Sequence, residues 1–215
     1  MRNLDDVRVS KSWATGVALT CLIILVGCDG YEAASVLPSE DIAPPVADNL
    51  PLVPHPEYAN WSQFSVGAAV VRNKIVSNGT ETVRVTTTLR LAEKKEDKVV
   101  VENQISVDRP GQPLIQNPPF SVELPDTFPL PANMRLEQFS LPSLKAKQIG
   151  EEIRQVGDRD YKTELFTWVE VNETGPMTIK LWRSDDVPGR FLRQEIKGHN
   201  HDSLEEVVEI THSPQ

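Results

Sequence analysis

An all-β domain follows from three features of this 215-residue sequence. Apolar and polar residues alternate strictly over 80–93, turn dipeptides recur between such runs, and no helical stripe exceeds two turns after residue 28. Together they predict an antiparallel meander of seven or eight strands, arranged as a curved sheet, sandwich or partial barrel. A long Pro-rich segment at 109–147 is expected to cover part of it.

The chain divides into three parts. In the first, Arg2, Arg8 and Lys11 precede an apolar run from Ala14 to Val26, ATGVALTCLIILV. Thirteen residues suit the core of a signal peptide and are too few to span the roughly 30 Å of a bilayer's hydrocarbon. The run ends Leu25-Val26-Gly27-Cys28, followed at once by polar Asp29-Gly30. That sequence resembles the lipobox of bacterial lipoproteins, which makes 1–27 a lipoprotein signal peptide. The resemblance implies that the Cys28 thiol takes a diacylglycerol thioether, that cleavage follows in front of it, and that acyl chains such as palmitate anchor the mature protein in a lipid bilayer. Asp29 in the next position resembles the inner-membrane retention signal of some Gram-negative bacteria, so inner and outer membrane both stay open.

Residues 28–57 hold six prolines, many small and acidic residues, and no apolar periodicity. Such a segment buries too little surface to offset ordering and is expected to be a flexible tether. The β domain then runs over 58–215. Ala68–Ser77 leads to Asn78-Gly79, a strong hairpin signal, and the return strand Thr80–Glu93 sends Val83, Val85, Thr87, Leu89 and Leu91 to one face. Lys98–Val107 completes a three-strand meander. Eight prolines within 109–147 exclude long regular elements, although Phe120, Phe128, Leu130, Leu136, Phe139 and Leu141 call for a packing partner. One short strand is expected there, at Phe120–Leu124. Four more strands follow near Gln148–Val156, Tyr161–Asn172, Met177–Ser184 and Arg190–Lys197, and a last one at Leu204–Thr211. The arrangement resembles uncharacterised families of secreted bacterial β proteins through Trp61, Phe64 and Gly67 at its start and Trp182 to Pro188-Gly189 near its end. That resemblance implies a fold and export and carries no known activity. A looser likeness is to the half-barrel of periplasmic lipoprotein carriers.

Charge narrows the partners. Lys and Arg number 22 against 31 Asp and Glu, a net −9. Removing 1–27 takes away three bases and two acids, leaving 19 basic and 29 acidic residues and a net charge of −10. A surface so acidic repels nucleic acid. Of the two cysteines, Cys21 leaves with the signal, so the mature part has Cys28 alone and must fold on its core without an internal disulfide.

Two residue groups could form sites. His199 and His201, with His212 downstream, have the i, i+2 spacing that some zinc and copper sites use. The plainer reading is that Gly198–Ser203 is a polar turn that these side chains decorate. Phe166, Trp168 and Trp182 could form an aromatic shelf for a sugar or lipid. The favoured reading is core packing, because the strand 161–172 is apolar on both faces and needs covering on both, and the apolar Pro-rich segment is available to cover it. No catalytic set emerges. Serines lack a Gly-x-Ser-x-Gly context, and the acidic pairs at 151–152, 185–186 and 205–206 are adjacent, which points their side chains to opposite faces of a strand. The expected role is a non-enzymatic, membrane-anchored module of the cell envelope, without cofactor, that binds an envelope protein or polymer. The alternative is a carrier or sensor of an apolar ligand held between sheet and loop, and an envelope hydrolase ranks last.

Overall fold

The computed structural model describes residues 50–77, 81–131, 134–199 and 201–212; Cys28, the signal segment and Asn78-Gly79 lie outside the described residues. Twelve strands and two short helices follow in order: β1 (Leu52–Pro54), α1 (Pro56–Trp61), β2 (Ala69–Ser77), β3 (Thr82–Lys94), β4 (Lys98–Asp108), β5 (Ile115–Gln116), β6 (Phe120–Pro125), β7 (Thr127–Pro129), α2 (Leu136–Phe139), β8 (Lys147–Val156), β9 (Arg159–Asn172), β10 (Gly175–Arg183), β11 (Phe191–Lys197) and β12 (Asp202–Thr211). All pairings are antiparallel, and the fold is all-β as the alternation requires. Ten strands form one open sheet in the order β5-β4-β3-β2-β12-β11-β10-β9-β8, with β6 also on β4. The last strand, β12, sits between β2 and β11 and thereby joins the N-terminal meander to the C-terminal one.

Eight of these strands are the eight the periodicity marks, with the C-terminal five placed within two residues. The surplus comes from the Pro-rich stretches. Within 109–147 the chain makes β5, β6, β7 and the single turn α2, where one strand was expected. Prolines there sit at strand ends and beside them, positions at which a missing N–H costs no ladder bond. The cover itself is real: Leu141 and Ala146 pack on the sheet, and Phe128 lies 4.0 Å from Phe139 between ring centroids.

Two expectations need correction. The expected tether runs through residue 57, but Leu52–Pro54 pairs with Thr127–Pro129 and buries Val53. His55 also donates its N–H to the Asp126 carbonyl at 2.8 Å. Three residues are too few to show a period, so pairing with a distant strand leaves no local trace. The second correction is one of register. A two-residue turn centred on Asn78-Gly79 would set Ser77 opposite Thr80, whereas Ser77 stands opposite Thr82. The Thr86 hydroxyl donates to Asn73 Oδ1 at 3.0 Å across the same ladder, which fits that register.

The core is built on both sides of β9 and β10. Leu165 stands opposite Trp182, while the neighbouring pairs Phe166–Leu181 and Trp168–Ile179 occupy the other face. All six side chains are buried. One face continues to Tyr161, Val187 and Leu192, and the other is closed by Ala146 and Leu141. A third cluster, Trp61 with Leu91, Val99 and Val101, seats α1 on β3 and β4. Each buried Leu, Val, Ile or Phe contributes about 1.5–3 kcal/mol relative to an exposed one.

Candidate functional site

Local sequence starts α1. His55 is its N-cap, and its Nδ1 accepts from the N–H groups of Glu57 and Tyr58 at 3.2 and 3.3 Å. Pro56 follows at the first helical position, where its lack of an N–H is harmless. The helix presents Asn60 and Trp61 inward, both nearly fully buried. Asn60 then bridges to the turn between β10 and β11. Its Nδ2 donates to the Asp185 carbonyl at 2.9 Å, and its Oδ1 accepts from the Gly189 N–H at 2.7 Å. Gly189 has φ +74°, and a Cβ there would meet Arg72 Nη2 at 3.1 Å and the Trp61 indole at 3.4 Å. Positive φ favours glycine here, and a Cβ would crowd both side chains. The Trp61 and Pro188-Gly189 motifs, far apart in sequence, are thus two halves of one joint.

Charge gathers at that joint. The charges of Arg72 from β2, Arg183 from β10 and Arg190 from the turn act on the carboxyl of Glu57 on α1. Burial pushes the Glu57 carboxyl above its ordinary range, and Arg183, Arg72 and Arg190 pull the other way, with Asp185 adding to the rise. Burial also lowers Arg72, opposed by Glu205 and Glu57, and lowers Arg183 with help from Arg190. A guanidinium remains charged regardless. Each is steadied by something apolar or polar: Arg72 lies 4.3 Å above the Phe191 ring, Arg183 donates Nη1 to the Ser140 carbonyl at 2.9 Å, and Arg190 pairs with Asp185 Oδ1 at 2.6 Å. The arrangement can fix α1 against the sheet and can present cations to an acidic group.

The residues expected from sequence fall elsewhere. Phe166 and Trp168 lie under Leu141 and Ala146. Trp182 donates Nε1 to Glu152 Oε2 at 2.8 Å and is faced by Arg154 and Arg193 at 4.5 and 5.7 Å. All three are core and bridge side chains here, and no shelf forms. His199 and His201 belong to the connection between β11 and β12, where the Gly198 N–H donates to the His201 carbonyl at 2.9 Å. His212 follows β12 at its far end, roughly 30–35 Å away along an extended strand, and stacks near Phe64 at 6.3 Å. The structure does not bring the three together, and among the described residues no group of three His, Cys, Asp or Glu could hold a metal. Glu57, Asn60, Arg72, Arg183 and Arg190 were missed. Arg72 carried a signal, since it follows Val70 by two and so shares that residue's inward face.

No family model matches, and no curated protein matches. Among solved structures, a candidate exported protein of YmcC-like fold from Bacteroides fragilis is 8% identical, covering 69% of this chain and 97% of its own, with a TM-score of 0.41. A hypothetical protein from Chlamydia trachomatis is 10% identical, covering 71% and 90%, with a TM-score of 0.32. Neither similarity bears on activity.

Proposed function

We propose that this chain is an exported lipoprotein, anchored in a membrane through Cys28, whose β domain binds another component of the cell envelope without catalysing a reaction. The observation that carries the anchoring is Leu25-Val26-Gly27-Cys28 at the end of a 13-residue apolar run behind three bases. Among the described residues no helix is long and apolar enough to cross a membrane, and a lipid at Cys28 needs none. Two chains or more hold such a protein firmly, whereas one holds it weakly.

The binding role draws support from how the sheet is filled. A carrier would need room between sheet and cover, and that space holds Leu141 and Ala146 against Phe166, Trp168, Ile179 and Leu181. Two hollows on the described surface are open and carry charge: one of about 300 Å³ beside Arg193, Glu195 and Lys197, another of about 390 Å³ beside Glu151, Asp160 and Lys162. The test is metabolic labelling with a fatty-acid probe. Cys28→Ala should lose the label and keep its signal, because the thioether needs the thiol. Labelling at the parent level would overturn the anchoring.

A further inference from the structure

The open sheet has two edges, and they are built differently. On one side the outermost strands are β5 and β6, of two and six residues, with Pro118 and Pro119 between them and Pro125 closing β6. Prolines and short strands blunt an edge, because they deny a neighbour its N–H donors. The other edge is β8, ten residues with no proline. A bulge between Gln148 and Gly150 ends its regular part, leaving Gly150–Val156. Ile153 lies at the centre of that run and is 72% exposed.

We infer that β8 pairs with β8 of a second copy of this chain, antiparallel and two-fold symmetric, with Ile153 on the axis. The register follows from symmetry and charge. The axis of such a contact stands perpendicular to the sheet and leaves every side chain on its own face, so opposed residues must be an even number apart. Centring the pair on Glu151, Glu152 or Arg154 sets that charge against its own copy, which is destabilising. Centring on Gly150 drives the contact into the bulge. Centring on Ile153 sets the regular run against itself over its whole length. Glu152 then faces Arg154 twice, Glu151 faces Gln155 twice, and Gly150 leaves room for Val156 twice. Arg154 Nη2 already meets Glu152 Oε2 at 3.0 Å within one copy. Pairing extends those two ion pairs into an alternating network of four charges. The contact is small beside the ~1,600 Å² of a standard interface, so it is weak and forms where copies are concentrated.

The experiment uses the full chain in intact cells, oxidised with copper–phenanthroline. Directly opposed Cβ atoms in an antiparallel pair are ~4.5–5.5 Å apart, close to disulfide reach. Ile153→Cys should therefore convert the chain largely to a reducible dimer of twice its monomer mass on a non-reducing gel. Val171→Cys, at the same 72% exposure but on β9, should stay at the background of the wild type, which also reports any contribution from Cys28. Adding Glu152→Arg to Ile153→Cys should cut cross-linking about tenfold, since opposed like charges cost at least that factor. Adding Arg154→Glu as well should restore it. Cross-linking of Ile153→Cys no greater than that of Val171→Cys overturns the pairing. So does equal cross-linking by the single and double charge variants at equal protein levels.

Discussion

The β9–β10 ladder and the joint between α1 and the β10–β11 turn meet at Arg183, yet they are held by different forces. The ladder buries Leu165 and Trp182 on one face and Phe166, Leu181, Trp168 and Ile179 on the other. Its stability comes from apolar area, which needs no exact partner. The joint closes on one amide, Asn60, and gathers three guanidiniums whose charge acts on the Glu57 carboxyl. The two Asn60 hydrogen bonds form only in one geometry, and removing that amide leaves its partners in the turn unpaired. An apolar ladder tolerates rearrangement, while a polar joint specifies position. The comparison predicts where substitutions are costly and how the cost changes with pH.

The largest effect belongs to the ladder. Phe166→Ala empties space between Leu181 and the 140–146 cover, and should cost about 3–5 kcal/mol. At this size that lowers Tm by roughly 10 °C or more. Val171→Ala, at the exposed end of the same strand, should change stability by no more than about 0.5 kcal/mol. Denaturant unfolding of the two variants beside the parent checks both. Equal costs would mean that β9 is not covered on its Phe166 face.

The joint comes next. Asn60→Ala removes two hydrogen bonds and leaves the Gly189 N–H and the Asp185 carbonyl without their partner. Each such group costs about 1–3 kcal/mol, so a loss of at least about 2 kcal/mol is expected from the same measurement. A cost as small as that of Val171→Ala would show that α1 is held by Trp61 packing on Leu91, Val99 and Val101 instead.

The two regions also differ in how far they could be read before the structure. The ladder was legible, because a period of two and an all-apolar strand announce burial on both faces. Phe166 and Trp168 could be placed in the core by that argument, and the Pro-rich cover by its spare Phe and Leu residues. The joint was legible only in outline. Trp61 and Pro188-Gly189 stood out as motifs, but nothing local says that Asn60 reaches a turn more than 120 residues on. Long-range hydrogen bonds have no period. The same holds for Leu52–Pro54, whose pairing with β7 is invisible in a stretch of prolines.

The smallest effect, and the sharpest on the nature of the joint, is the pH dependence of Glu57. Burial holds its carboxyl above the ordinary range although Arg183, Arg72 and Arg190 oppose the rise and Asp185 assists it. The folded state therefore keeps this proton at pH values where the unfolded state, near ~4.3, has released it. The stability this group contributes is fully present below that unfolded value. It is lost as pH rises to the folded value and is constant beyond it. Glu57→Gln removes the titration while keeping size and polarity. The variant should match the parent near pH 4 and gain on it as pH rises, by less than either substitution above costs. His55 is held below its ordinary value by burial, but it is present in both proteins and drops out of the difference. Thermal unfolding of parent and variant across pH 4–7 reads the sign. A variant that loses ground as pH rises would mean that the arginines outweigh burial, and that Glu57 serves the joint as an ion-pair partner.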